Sequence, residues 1–188
     1  MDPTIIESAR RGEGDAFAVI VREKASELFA VAYRVLRDTE LAEDAVQQAF
    51  ANAWRELPRL RDVGRFDAWM YRLLLNASFR EARDRRRHQS RIRMLTPIEE
   101  QSGDEATSIA NRDQLERAFR RLTHEHRAIV VLHHYAGMPL AEIASVLVIA
   151  PGTARSRLHY ATRVLRAALE ADAREPGGRA AVMADVAK

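Results

Sequence analysis

The stretch Met138 to Arg166, MPLAEIASVLVIAPGTARSRLHYATRVLR, constrains the chain more than any other part of it. Leu140, Ile143, Ala144 and Leu147 recur at the three-and-four spacing of a short amphipathic helix. Pro151 suits a first helical position, where a missing N–H costs nothing, and Ala154, Leu158, Ala161 and Leu165 then mark one apolar stripe. Arg155, Ser156, His159 and Arg163 fall on the opposite face. Two short helices joined by about three residues, the second carrying cationic and hydrogen-bonding side chains, make a helix-turn-helix that can set a recognition helix in a DNA major groove. The competing account is a helix pair whose charges are merely solvated. Such a face would alternate charge, whereas this one mixes the residue types that read base edges.

Composition narrows the class. With 188 residues, 47% hydrophobic and 30% charged, the chain is globular and long enough for one medium domain or two small ones. Lys and Arg number 30 against 27 Asp and Glu, a net charge of only +3, but the cations are mostly clustered arginines, which suits phosphate contact. The absence of cysteine excludes disulfides and thiolate metal sites. No apolar run approaches the roughly 20 residues that span a bilayer, and MDPTIIESARRGEGD has no signal-peptide core, so a cytoplasmic protein without membrane insertion is expected.

Along the chain, residues 1–15 read as a polar lead-in. From Phe17, the positions Ile20, Val21, Leu28, Val31, Ala32, Val35 and Leu36 predict one long amphipathic helix. Asp38 can cap a second helix burying Ala42, Ala45, Val46, Ala49, Phe50, Ala53 and Trp54, with Glu40, Glu43, Asp44, Gln47, Gln48 and Arg55 outside. Pro58 ends it, a basic loop follows to Arg65, and a third helix begins near Phe66. That helix carries Trp69, Met70, Leu73, Leu74 and Ala77 and is apolar round much of its girth, which makes it central. Arg72, Asn76, Arg80, Arg83 and Arg87 follow one another by three or four residues and line up along one side, a cationic track holding a single amide. The run RDRRRHQSRIR continues the track. It can engage a phosphate backbone with steep salt dependence, or simply favour a helix C-terminus.

Residues 94–111, rich in Pro, Gly, Ser, Thr and acid, read as a flexible linker between domains. A helix over 112–122 buries Leu115, Ala118 and Phe119. Thr123 can cap the next, through Ile129 and Leu132 to Tyr135, and Gly137 closes it. Residues 171–188 form an Ala-rich tail. His124, His126, His133 and His134 lack a carboxylate to complete a metal site, and no nucleophile elbow or phosphate loop is present, so neither enzymatic activity, metal nor cofactor is expected. Trp54, Phe66, Trp69, Tyr71 and Phe79 can stack on unpaired bases, but aromatics at helical spacing are more often core, and Trp69 especially reads so.

GTARSRLHYATRVLR after AEIASVL resembles region 4 of a sigma-70 family factor of the extracytoplasmic-function (ECF) group. FAVIVREKASELFAVAYRVLRDTELAEDAVQQAFANAWREL followed by RFDAWMYRLLLNASFREARDRRR resembles region 2. The resemblance implies an all-α protein of two small helical domains, a region 2 bundle over 16–93 and a region 4 helix-turn-helix over 112–170. It further implies a subunit of RNA polymerase that melts and reads the minus-ten element and reads the minus-thirty-five duplex. Carried over, Asp44, Gln47 and Gln48 would contact the polymerase clamp. Asn76 would receive a base flipped from the nontemplate strand, flanked by Arg72, Arg80, Arg83 and Arg87, with Leu60 and Arg61 on the neighbouring loop. Leu60 stands where some members have an aromatic. Arg155, Ser156, Arg157, His159, Tyr160 and Arg163 would meet the minus-thirty-five element, Tyr160 at a place where arginine is frequent. Implied partners are core RNA polymerase, through its largest-subunit clamp and flap, promoter DNA, and an anti-sigma factor. Val148 replaces the usual turn glycine; valine is strained at positive φ, so another turn geometry is expected. Ala150 replaces an N-capping hydroxyl at a cost of about 1 kcal/mol. The alternative function is a dimeric helix-turn-helix regulator that binds duplex DNA without joining the polymerase.

Overall fold

The computed structural model describes residues 1–95 and 116–172, with side chains described over 1–89 and 116–170. Most of the expected linker, Leu115 and the expected tail beyond Asp172 lie outside the described residues. Among the described residues there is no strand.

The expected lead-in holds a helix, α1 (Pro3–Arg10). The Asp2 carboxylate accepts the Thr4 N–H at 2.9 Å, and Pro3 occupies the first turn. Ile6 and Ala9 are buried. Asp2 followed by Pro3 is a local start signal that the expectation of a polar lead-in misses, and the cap together with the burial of Ile6 and Ala9 defines the helix. Gly12, at φ 93°, turns the chain into α2 (Gly14–Leu36).

Asp38 caps α3 (Thr39–Glu56), its carboxylate accepting the Leu41 N–H at 3.0 Å. The buried seam of α3 is Ala42, Ala45, Ala49, Phe50 and Ala53. Trp54, expected inside, falls beside this seam and sits at the edge, 43% exposed, its ring 5.0 Å from that of Phe17. Gln48, expected outside, is half-buried and donates to Asn52 at 3.1 Å. After single turns at Leu57–Arg59 and Val63–Arg65, α4 (Phe66–Leu95) runs through the middle of the bundle, burying Met70, Tyr71, Leu73, Leu74, Leu75, Ala77 and Ser78. The Ser78 hydroxyl donates to the Leu74 carbonyl at 2.8 Å, so its burial leaves no orphan. Lys24 ties α2 to α4, pairing with Asp67 at 2.8 Å and Glu27 at 3.0 Å. The Tyr71 hydroxyl donates to Glu27; burial and that carboxylate push its pKa up.

The second half begins with a helical segment over 116–120. Thr123 caps α5 (His124–Val130), its hydroxyl accepting the His126 N–H at 3.4 Å. A π-helical turn, Val131–Tyr135, follows, and Gly137 at φ 67° ends it. Then come α6 (Leu140–Leu147) and α7 (Pro151–Asp172), joined by three residues. The turn is left-handed despite its valine: Val148 holds φ 55° and ψ 49°, contrary to expectation. The left-handed residue lets Val148 and Ile149 donate back to the carbonyls of Ser145 and Ala144 at 3.3 and 3.0 Å, closing α6 as glycine normally does.

Separation in sequence is not separation in space. Ala128, Ile129, Val131, Leu132, Met138, Ile143 and Val146 join the same apolar cluster as Leu28, Val35 and Leu74, with α5 packed on α2 and α6 on α4. Arg127, only 8% exposed, donates to the carbonyls of Phe119 at 2.8 Å and Arg120 at 3.4 Å on its own side, and of Val35 at 3.1 Å across the junction. Burial, with Arg37, Arg120 and Arg86 nearby, pulls its pKa down to about 10, so it stays charged at neutral pH. Arg37 pairs with Glu116, and the Arg34 guanidinium lies 3.9 Å from the centre of the Tyr135 ring.

Candidate nucleic-acid interface

Helical spacing brings Arg72, Asn76, Arg80, Arg83 and Arg87 onto one side of α4, and every one of them is exposed. As far as Ala82 the core on the opposite side backs this helix, which fixes Arg72, Asn76 and Arg80; Arg83 and Arg87 continue the row where residues 83–89 are exposed on every side. Its N-terminal end opens into a cavity of about 370 Å³. Leu60, Arg61, Asp62 and Arg65 line it from the loop before α4, Ala68, Trp69 and Arg72 from the first turns of α4, and Ser145 and Val146 from α6. Trp69, expected in the core, is half-buried and forms part of this wall, its ring 5.8 Å from that of Phe66. It precedes Arg72 by three residues and so shares the face of the arginine row, which is the signal that could have placed it there. Arg65 and Asp62 were missed because loop residues carry no period. Asn76 stands one turn beyond Arg72, exposed and outside the lining. A flat aromatic, three guanidiniums and an open mouth suit a planar, electron-rich group attached to a phosphate chain.

A second surface is the outer side of α7. Ala154 and Ala161 are buried and Leu158 and Leu165 half-buried, as the apolar stripe requires, and Arg155, Ser156, His159 and Arg163 stand exposed. Tyr160 is also exposed, its ring 4.8 Å from His126 at the start of α5. Arg157 departs from the row and is half-buried. Burial lowers the His126 pKa and the Arg157 charge adds to it, whereas burial raises that of Glu125, which hydrogen bonds from its own N–H and from Thr123 hold down, Arg157 contributing least.

A third feature is an apolar groove between α2 and α3, floored by Val21, Ala25, Phe29, Val46 and Phe50 and edged by Glu43, Asp44 and Gln47.

Residues 20–88 match the family model of Sigma-70 region 2, and residues 112–163 that of Sigma-70, region 4. The chain belongs to the sigma-70 family. Over 173 residues it is 32% identical to the ECF RNA polymerase sigma factor SigL of Mycobacterium tuberculosis (strain H37Rv), covering 88% of this chain and 95% of that one. The RNA polymerase sigma factor CarQ of Myxococcus xanthus is 33% identical over 168 residues, 86% of this chain and 93% of CarQ. Among solved structures, CnrH in complex with the cytosolic domain of CnrY matches with a TM-score of 0.66 at 26% identity, covering 91% of this chain and 98% of that chain. These relatives make the chain an ECF sigma factor, an RNA polymerase subunit that directs transcription initiation, and do not favour the dimeric-regulator alternative. In sigma terms, the arginine row belongs to region 2, the cavity is walled by region 2 and closed on one side by Ser145 and Val146 of region 4, and the α7 row belongs to region 4. No helix among the described residues is long and apolar enough to cross a membrane.

Proposed function

We propose that this sigma factor captures one base of the minus-ten nontemplate strand in the cavity at the head of α4, with Asn76 and the arginine row holding the strand that leads to it. The observation that carries this reading is the continuity between the exposed row Arg72, Asn76, Arg80, Arg83 and Arg87 and a cavity walled by Trp69, Leu60 and Arg61. The guanidiniums can only donate, so they grip phosphates. An amide both donates and accepts and can read a base edge. Trp69 offers the stacking surface that Leu60 lacks. Extruding a base costs a few kcal/mol, and a site that rewards the flipped state pulls the duplex open. Because Asn76 is exposed, a role in satisfying buried backbone is not available to it.

On the same reading, Arg155, Ser156, His159 and Arg163 face the minus-thirty-five duplex, with Tyr160 and the half-buried Arg157 at their edge. The α2–α3 groove with Asp44 and Gln47 receives the polymerase clamp, Gln48 acting from within α3 through Asn52. An anti-sigma partner is proposed by analogy with CnrH, whose structure is a complex with the cytosolic domain of CnrY.

The test compares wild type with Asn76→Ala, each with core polymerase, on a promoter whose minus-ten region is already open, making each nontemplate base abasic in turn. A single abasic position is expected to erase the difference between the two proteins. A deficit that persists at every position would mean that Asn76 reads no base.

A further inference from the structure

We propose that α1, acting through Arg10, is the positioning element for the loop that lines the base cavity, and so helps set which minus-ten base is accepted. This rests on the reading of that cavity as the base site. The loop from Leu57 to Arg65 consists of two single turns, tied to the flanking helices only at its ends, where the Leu57 N–H donates to the Ala53 carbonyl and the Phe66 N–H to the Val63 carbonyl. The Leu60 N–H donates to Leu57 at 3.0 Å, the Arg65 N–H to the Asp62 carbonyl at 3.1 Å, and the Gly64 N–H to the Asp62 carboxylate at 2.9 Å. Between the two turns lies the extended Leu60, whose side chain faces the cavity and whose carbonyl takes part in neither turn. Arg10 donates to that carbonyl through Nη1 at 3.1 Å. Its Nη2 meets Glu7 at 2.5 Å, three residues back on the same helix, so the guanidinium is held from both sides.

The support behind Arg10 is stiff. Ile6 and Ala9 of α1 are 3% and 2% exposed, and α1 packs on α2 and on both turns of the loop. Arg10 itself is not part of the cavity wall, so it acts by fixing where Leu60 and Arg61 stand. The matched region 2 begins only at residue 20, after α1 has ended, so this support is contributed by sequence outside the family match. Fixing a loop in advance of binding is how a selective site avoids ordering cost, and a small displacement of a positioned group is enough to lose selectivity.

The experiment uses the full chain with core polymerase on promoters carrying each of the four bases in turn at each minus-ten nontemplate position, reading open-complex formation rates for wild type, Arg10→Ala and Arg10→Lys. Arg10→Ala is expected to compress the preference for the favoured base by about tenfold, the scale of a displaced contact, with affinity for core polymerase and for a minus-thirty-five duplex unchanged. Arg10→Lys is expected to recover part of the preference, since an ammonium can still donate to the Leu60 carbonyl. Equal slowing on all four bases, with the preference intact, would mean that α1 only supports the fold and overturns the proposal. Arg61→Ala, measured alongside, separates the two layers of inference. If it alters base preference and Arg10→Ala does not, the α1 proposal alone fails. If neither alters it, the cavity reading fails and takes the α1 proposal with it.

Discussion

Val148 shows how one residue can be kept in an unfavourable state. A β-branched side chain at φ 55° costs about 1 to 2 kcal/mol, yet the turn keeps it because the helix end needs the two return bonds to Ala144 and Ser145. The side chain is 68% exposed and contributes little packing. Val148→Gly is therefore expected to stabilise the protein by about 0.5 to 1 kcal/mol, the relief of strain being partly offset by glycine's greater chain entropy. Thermal unfolding followed by circular dichroism checks this, and an unchanged or lower midpoint would show that the valine is not strained. Trp69 makes a related point about reading residues: an aromatic at helical spacing is core or platform depending on which side of the helix the neighbours cover.

At the scale of the element, α7 starts without help. Ala150 offers no side-chain oxygen to the first-turn N–H groups, so Pro151 and the burial of Ala154 and Ala161 against the preceding helices hold its start. The exposed row is graded along the helix, with Arg155 in its first turns, where a recognition helix meets base edges, and Arg163 two turns further on. Arg155→Ala is expected to weaken binding by about 1 to 3 kcal/mol at one or two base pairs of the minus-thirty-five element. Arg163→Ala is expected to weaken all sequences alike and to flatten the salt dependence. Titration of a set of single-base operator variants at two salt concentrations distinguishes the two; equal losses for Arg155→Ala on every variant would remove it from base reading.

Over the whole molecule, the decisive feature is that region 2 and region 4 share a core. Arg127 is a polar fastening of that junction beside Arg37 and Glu116, a buried cation serving carbonyls on both sides rather than a carboxylate. Arg127→Met keeps much of the volume but takes the guanidinium donor from the Val35 carbonyl, while the Phe119 carbonyl keeps the Leu122 N–H, and a loss of about 2 to 4 kcal/mol is expected. Urea unfolding should then show a lower midpoint and a split into two transitions as the halves uncouple, with a larger radius of gyration in solution scattering. A single transition at the wild-type midpoint would mean that the apolar contacts alone join the halves. The same packing gives α6 a place in the wall of the region 2 cavity through Ser145 and Val146.

Periodicity and punctuation were enough to place α2, α3, α4 and the pair α6 and α7, because each buries a stripe that recurs at helical spacing. The caps at Asp38 and Thr123 and the stop at Gly137 were legible for the same reason: their chemistry is local. The exposed arginine row was legible because a rigid helix converts spacing directly into direction. What lay beyond the sequence depended on contacts between distant segments. Whether Trp54 is inside depends on which side of α3 its neighbours cover, and whether Trp69 faces a core or a cavity depends on where the Leu57–Arg65 loop and α6 come to rest. The start of the helix at residues 3–10 was legible in Asp2 and Pro3, and only the surface it packs on lay beyond the sequence; Val148 is left-handed because the cooperative ending of α6 outweighs the preference of one residue. Arg127 and Arg10 look like ordinary surface cations in the chain; only the fold brings orphan carbonyls, from residues more than 40 positions away, to meet them.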